Sequence, residues 1–338
     1  MPTTPPPATP ASPPARAPEP PPGGAEPGGR LRGVGSLLGL VISALALAAV
    51  VWWALRQGPP RLPHTPGQIA ALIAAMALYG FNTLVRSERW HRLLVDDGAR
   101  PARRDSYSLT TIGYAVNNVL PARAGDAVRV VLLAPRAAAS RRTVLGTIVA
   151  ERLLDVAVIL VLFLVVGYAV LGAVGAGSVE WIVLATVGVL VAAAVAIALV
   201  RRNQRIHDFV GPMLSSTARL LSRHGVLLVG MTVGVWLIEA CAWIAVGLSV
   251  GFQMSFLEGL YLVALASVFA LIPSGPGYAG TQDAATVIGI KAIGGTGATA
   301  VSYLVMLRFA LLVPITVVGF LLLAARYGGF GQLRAARA

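Results

Sequence analysis

Leu271-Ile272-Pro273-Ser274-Gly275-Pro276-Gly277-Tyr278-Ala279-Gly280-Thr281-Gln282-Asp283 decides how this chain is read. Two prolines and three glycines interrupt it, and the apolar runs on either side are each too short to cross a bilayer. Proline removes a backbone donor and glycine frees the dihedrals, so no helix passes through. Broken backbone at membrane depth is tolerated only where protein or a water-filled cavity surrounds it. Val119-Leu120-Pro121-Ala122-Arg123-Ala124-Gly125-Asp126 has the same character, and the two stretches read as partners.

The surroundings make a membrane setting the natural one. The chain has 338 residues, 56% hydrophobic and 12% charged, with a mean hydropathy of +0.76. Those values describe an all-α polytopic membrane protein. The net charge is +13, carried almost wholly by arginine, with Lys291 the one lysine. The arginines cluster in short segments between apolar spans, which is how a membrane protein fixes its orientation, so the basic balance does not point to nucleic acid. Cys241 stands alone in an apolar span, and the four histidines have no metal-ligand spacing; neither a disulfide framework nor a metal or cofactor site is expected.

Residues 1–33 hold twelve of the 23 prolines and read as a disordered cytoplasmic tail. Full spans are predicted over 34–55, 68–85, 144–171, 179–200, 225–250 and 298–325, each long enough for a ~30 Å hydrocarbon core at ~1.5 Å per residue. Residues 107–118 with 127–134, and 257–272 with 283–293, are predicted as two re-entrant hairpins around the two breaks. Residues 326–338 form a short basic cytoplasmic tail. This arrangement places twenty-two of the 27 basic residues, and both termini, on the cytoplasmic side.

The two halves, about 34–172 and 179–325, repeat the order span, span, broken hairpin, span. Each crosses three times, so the second is expected upside down relative to the first. Pro121 and Pro273 are 152 apart, Asp126 and Asp283 are 157 apart, and Arg152 and Arg308 are 156 apart. Matched broken segments in inverted halves point to a transporter's central site.

Several residues can carry that site. Asp126 and Asp283 each open an apolar run after a break and read as helix caps; the helix N-terminus so built suits a phosphate. Arg123 and Arg129 flank the inner break, as phosphate forks or as cytoplasmic anchors. Glu151, Arg152 and Asp155 share a helical face, where Arg152 can pair with Asp155. A charge inside a span costs ~2.5–3.5 kcal/mol on insertion scales, so three together imply pairing or a wet cavity. Arg308 has no acidic neighbour in sequence and needs Asp283, Glu239 or a bound anion. Glu239, isolated mid-span, is read as pairing with Arg308 or coupling a proton. Arg86, Arg89 and Trp90 look like an interfacial anchor at the cytoplasmic face, where a lipid headgroup can also rest. Asn117 and Asn118 can satisfy freed backbone groups or a ligand.

The run Asn118-Val119-Leu120-Pro121-Ala122-Arg123-Ala124-Gly125-Asp126-Ala127-Val128-Arg129 resembles the N-x-x-P-x-R-x-G-E-x-x-R signature of the lysylphosphatidylglycerol synthase transmembrane region, a flippase-like family. Arg89-Trp90, Glu151-Arg152-x-x-Asp155 and the Pro273-to-Asp283 stretch, with Gly277 and Gly280, agree in order over about 34–325. Asp126 and Asp283 stand where the family usually has glutamate, which shortens the reach by one methylene. The resemblance implies translocation of an anionic or aminoacylated phospholipid, or of a polyprenyl-linked sugar, in a prokaryotic plasma membrane. It also implies that a separate synthase or glycosyltransferase makes the lipid, since this chain has no room for the soluble aminoacyl-transfer domain of full synthases. Two other readings compete with a non-enzymatic translocase: a membrane-embedded glycosyl- or acyl-transferase, for which only Asp96-Asp97 offers acidic groups, and a non-transporting accessory subunit.

Overall fold

A computed structural model describes residues 44–45, 47–120, 123–171, 223–271 and 275–328. Within them the fold is all helical. Eight helices are labelled in chain order: α1 (Pro66–Asp96), α2 (Arg103–Val119), α3 (Ala124–Leu133), α4 (Arg141–Leu171), α5 (Arg223–Ser249), α6 (Phe256–Phe269), α7 (Thr281–Ala292) and α8 (Gly297–Tyr327). A further helical stretch ends at 54. The predicted spans 34–55 (in part) and 179–200, the tail 1–33, and Pro121 and Pro273 lie outside the described residues.

Local sequence sets the ends. Thr65 and Gln68 form a reciprocal capping box at the start of α1, with Pro66 in the first turn, where its missing donor costs nothing. Ser255 and Glu258 do the same for α6. Thr296 accepts from the Thr299 N–H to open α8, and Gly328 closes it in the left-handed region. Between α2 and α3 the chain turns through Arg123, at φ +54°. Between α6 and α7 it turns through Pro276–Tyr278, with Gly277 at φ +60° and Gly280 at φ +96°. The two sequence breaks are therefore the two helix–break–helix corners.

Among the described residues, three helices are long and apolar enough to cross a membrane: Pro66–Asp96, Gly225–Ser249 and Gly297–Tyr327. The surface agrees with that setting. Ile73, Phe81, Val161, Val165, Val317 and Leu321 are exposed, while Arg89, Arg129 and Glu151 are fully buried. Water would favour the opposite distribution, and lipid favours this one.

Packing repeats between α1–α4 and α5–α8. α2 lies on α8 as α6 lies on α4; α2–α3 matches α6–α7; α1–α2 matches α5–α6; α3–α4 matches α7–α8; α1–α8 matches α5–α4. α1 and α5, the counterparts of each other, share the most extensive interface. They run antiparallel. Asn82 meets Glu239, Arg89 meets Thr232, and Leu93 clusters with Leu228, so one number rises as the other falls. Asn82 and Glu239 are 157 apart, the same offset as Asp126 and Asp283, so equivalent positions touch where the two sets of helices meet.

One prediction needs correction here. The second apolar run, 68–85, does not end a helix at a cytoplasmic loop. α1 continues without interruption to Asp96 and carries Arg86, Arg89 and Trp90 into the interior. Hydropathy falls at Arg86 because the buried face there is polar, and the backbone stays helical.

Candidate functional site

The corner at Arg123 is built by a close backbone approach. A Cβ on Gly125 would lie 1.9 Å from the Gly113 carbonyl oxygen, so only glycine lets α3 cross α2 here. The Gly125 N–H donates to Asn117 Oδ1 at 2.8 Å, which ties the first turn of α3 to the end of α2. This answers one expectation and corrects another. Asn117 satisfies freed backbone, as predicted, but that donor at the α3 N-terminus is then spent on protein and not kept for an anion. Asp126 is not a cap either; it pairs with Arg152 at 3.4 Å and Arg129 at 3.5 Å.

Behind this corner lies a closed network of charges. Arg89 grips Asp155 with both terminal nitrogens, at 2.6 and 3.1 Å, and reaches Glu151 at 3.2 Å and Thr232 Oγ1 at 2.8 Å. Arg129 holds the other oxygen of Glu151 at 2.8 Å and lies 3.9 Å above the Trp90 ring. Trp90 Nε1 donates to Thr147. Arg89, Arg129 and Glu151 have no exposed side-chain surface. Buried charges persist only when paired and hydrogen-bonded, and here three helices supply each other's partners. Arg89 and Trp90 are thus scaffold in the interior and not an interfacial anchor. Arg129 belongs to the same scaffold, so of the two arginines flanking the break only Arg123 faces open space.

Glu239 takes its partners from α1. Arg86 Nη2 donates to Glu239 Oε2 at 2.7 Å and Asn82 Nδ2 at 2.9 Å. The expected Arg308 pairing does not form. α8 instead presents Arg308 to α7 and the second break, where it donates through Nε to Asp283 Oδ1 at 2.7 Å, again through Nη2, and through Nη1 to the Gly277 carbonyl. Asp283 also accepts the Gly280 N–H at 2.9 Å, so it caps from the third helical position. The Arg152–Asp126 and Arg308–Asp283 pairs are counterparts, separated by 26 and 25 residues. They differ in tightness: Arg308 makes several bonds, whereas Arg152 makes one long bond to Asp126 and lies 3.8 Å from Asp155. The predicted Arg152–Asp155 contact exists but is loose.

The two corners open into one cavity of about 160 Å³. Asn118 and Arg123 line it from the first corner, and Gly277 and Tyr278 from the second. Arg86, Arg152, Asp155 and Glu239 complete its charged wall; Tyr79, Tyr114 and Trp236 supply rings. Arg123 has a single long bond, 3.4 Å to the Ala270 carbonyl, and its guanidinium is 5.5 Å from the Tyr278 ring centre. Arg308 stands behind Gly277, whose Cβ, if present, would be 3.5 Å from Arg308 Nη1. Asn118 donates to Thr316 on α8.

The site residues named from sequence thus separate into cavity-lining groups (Asn118, Arg123, Arg152, Asp155, Glu239, Gly277, with Arg86) and supporting groups (Gly125, Asp126, Arg129, Glu151, Gly280, Asp283, Arg308, with Arg89 and Trp90). Sequence reading missed Asn82, Tyr79, Tyr114, Trp236 and Tyr278. Asn82 had a signal, since it lies 157 before Glu239; Tyr79, Tyr114 and Trp236 had none, being ordinary inside apolar helices, and Tyr278 lies in the second break, where only the prolines and glycines drew notice.

Guanidinium forks on such a wall match the oxygens of a phosphate-sized anion bidentately. No match was found to curated proteins or to solved structures. The model of one family, the lysylphosphatidylglycerol synthase TM region, matches residues 36–319. That span takes in both corners, the buried arginine–carboxylate network and the cavity between them, and the chain belongs to the lysylphosphatidylglycerol synthase TM region family.

Proposed function

We propose that this multi-pass membrane protein is a lipid translocase. It moves a lipid with a phosphate-bearing headgroup between leaflets and acts as a transporter, not an enzyme. The headgroup passes through the cavity between the two corners while the acyl or prenyl tails stay in the bilayer. Candidate cargoes are an anionic or aminoacylated phospholipid and a polyprenyl-linked sugar, made by a separate synthase or glycosyltransferase.

In this reading six helices cross a prokaryotic plasma membrane and both termini face the cytoplasm. The α2–α3 and α6–α7 corners are re-entrant hairpins from opposite leaflets. The antiparallel α1–α5 contact, with Asn82 against Glu239, supports an inverted repeat whose axis lies in the membrane plane. The two arginine–aspartate pairs then serve as matched latches on the two sides.

The observation that carries the proposal is the shared cavity: both broken segments line it, and Arg123 and Arg152 face it together. A transferase working by acid–base catalysis would need a free carboxylate there, and the carboxylates of the wall are held by arginine. Asp96-Asp97 closes α1 and lies outside that wall. The test is exposure of the headgroup on the outer leaflet of cells. Arg152→Ala or Arg308→Ala is expected to abolish it while protein abundance holds. Unchanged exposure in both variants would overturn the proposal.

A further inference from the structure

Charges around the cavity do not cancel. Five carboxylates stand in or behind its wall, and each is matched to a guanidinium: Glu239 to Arg86, Asp155 to Arg89, Glu151 to Arg129, Asp126 to Arg152, and Asp283 to Arg308. Arg89 engages both oxygens of Asp155, which Arg86 and Arg152 approach only at 3.7 and 3.8 Å. Arg123 remains. Among the described residues it has no carboxylate partner, only the long bond to the Ala270 carbonyl. The wall therefore carries one positive charge in excess, at the corner that opens the cavity.

Hydrogen-bonding capacity is unbalanced in the same direction. Tyr114 Oη, Asn117 Nδ2, Arg152 Nε and Trp236 Nε1 are buried and make no hydrogen bond among the described residues. All four belong to residues that line the cavity, and all four can donate. A phosphate ester brings acceptors and a negative charge, which answers both imbalances. An ammonium brings three further donors and a like charge, and finds each nearby carboxylate already charge-paired with a guanidinium, Glu239 through Oε2 and Asp155 through both oxygens. A headgroup bearing both would meet its ammonium's cost at the same wall.

We infer that the cavity selects a phosphate-bearing headgroup of net negative charge and discriminates against headgroups that carry an ammonium, aminoacylated lipids included. This deepens the translocase reading and rests on it for the lipid's route, but it concerns selection and not movement. Arg123 is the selecting charge, Arg152 the second fork, and Tyr114 and Asn117 the neutral donors.

The test is retention of added lipid by the purified full chain in detergent, read by native mass spectrometry. The probes are dioleoyl-phosphatidylglycerol, a polyprenyl phosphate, lysyl-phosphatidylglycerol, phosphatidylethanolamine and phosphatidylcholine. Either anionic lipid is expected to be retained at least about tenfold more tightly than any of the three that carry a cationic nitrogen, a difference of ~1.4 kcal/mol. Arg123→Gln should erase most of that ratio, Arg123→Lys should keep it, and Arg123→Glu should reverse it. Displacement of phosphatidylglycerol by inorganic phosphate would assign the recognition to the phosphate group alone; displacement only by anionic lipid would assign it to headgroup and tails together. Equal or tighter retention of lysyl-phosphatidylglycerol, or an unchanged ratio in a folded Arg123→Gln protein, would overturn the inference. A chain that retains anionic lipid selectively yet moves none would end the translocase reading and leave selection standing. Equal movement of every headgroup would do the reverse.

Discussion

Replacing Arg89 by glutamine removes the centre of the buried network. The guanidinium makes four contacts of 2.6 to 3.2 Å, two to Asp155 and one each to Glu151 and Thr232, with no exposed side-chain surface. Without it Asp155 keeps only Arg86 at 3.7 Å and Arg152 at 3.8 Å, while Glu151 keeps Arg129 at 2.8 Å. One carboxylate is then buried with no close partner. Breaking such a pair from one side costs about 3–5 kcal/mol, because the stranded charge has lost water as well as its partner. Arg89→Lys keeps the charge but not the fork, and is expected to lose less. The assay is equilibrium unfolding in mixed micelles with rising SDS, followed by tryptophan fluorescence. Arg103→Gln is the control: its side chain is 68% exposed and sits 3.4 Å from Glu88, so no measurable loss is expected. If Arg89→Gln unfolds no more easily than Arg103→Gln, the network does not hold the fold as argued.

Gly125→Ala should destabilise by about 1–3 kcal/mol or more, because the methyl would meet the Gly113 carbonyl at 1.9 Å and backbone cannot step aside; yield and unfolding midpoint report it. Gly113→Ala meets the Arg129 methylenes instead, at 2.7 and 2.9 Å, and should cost less. A double-mutant cycle of Asn82→Ala and Glu239→Gln should give a coupling of about 0.5–3 kcal/mol, measured by the same unfolding assay; zero coupling would remove the contact between equivalent positions. Arg308→Gln should destabilise more than Arg152→Gln, since Arg308 ties Asp283 and the Gly277 carbonyl together whereas Arg152 makes one long bond. Equal losses, or the opposite order, would mean that the tighter pair is not the stronger latch.

The two breaks were legible in the sequence because proline and glycine act locally and leave the same mark in any fold. The matched offsets at Asp126 and Asp283, and at Arg152 and Arg308, were legible for a related reason: a repeat preserves spacing. They led to the Arg308–Asp283 partnership, though not to a choice between Asp283 and Glu239. What stayed hidden depends on which helix faces which. Arg86, Arg89 and Trp90 looked like the end of a span because hydropathy averages all faces of a helix. It cannot distinguish a loop from a buried polar turn. Glu239 could be recognised as costly, but its partner lies on α1, 153 residues away. Arg123 and Arg129 have the same chemistry six residues apart. Only packing against Trp90 and Glu151 separates the scaffold arginine from the one left facing the cavity.

The central claim is that a headgroup crosses through this cavity, and one reconstitution tests it directly. The purified chain is placed in liposomes with a trace of phosphatidylglycerol labelled on one acyl chain with a dithionite-sensitive fluorophore, and dithionite is added outside. In protein-free vesicles about half the fluorescence stays protected, being on the inner leaflet. With the protein, that protected fraction should fall well below half, and the fall should vanish in Arg152→Ala. A protected fraction that matches protein-free vesicles, for phosphatidylglycerol and for every other labelled headgroup, would contradict the account.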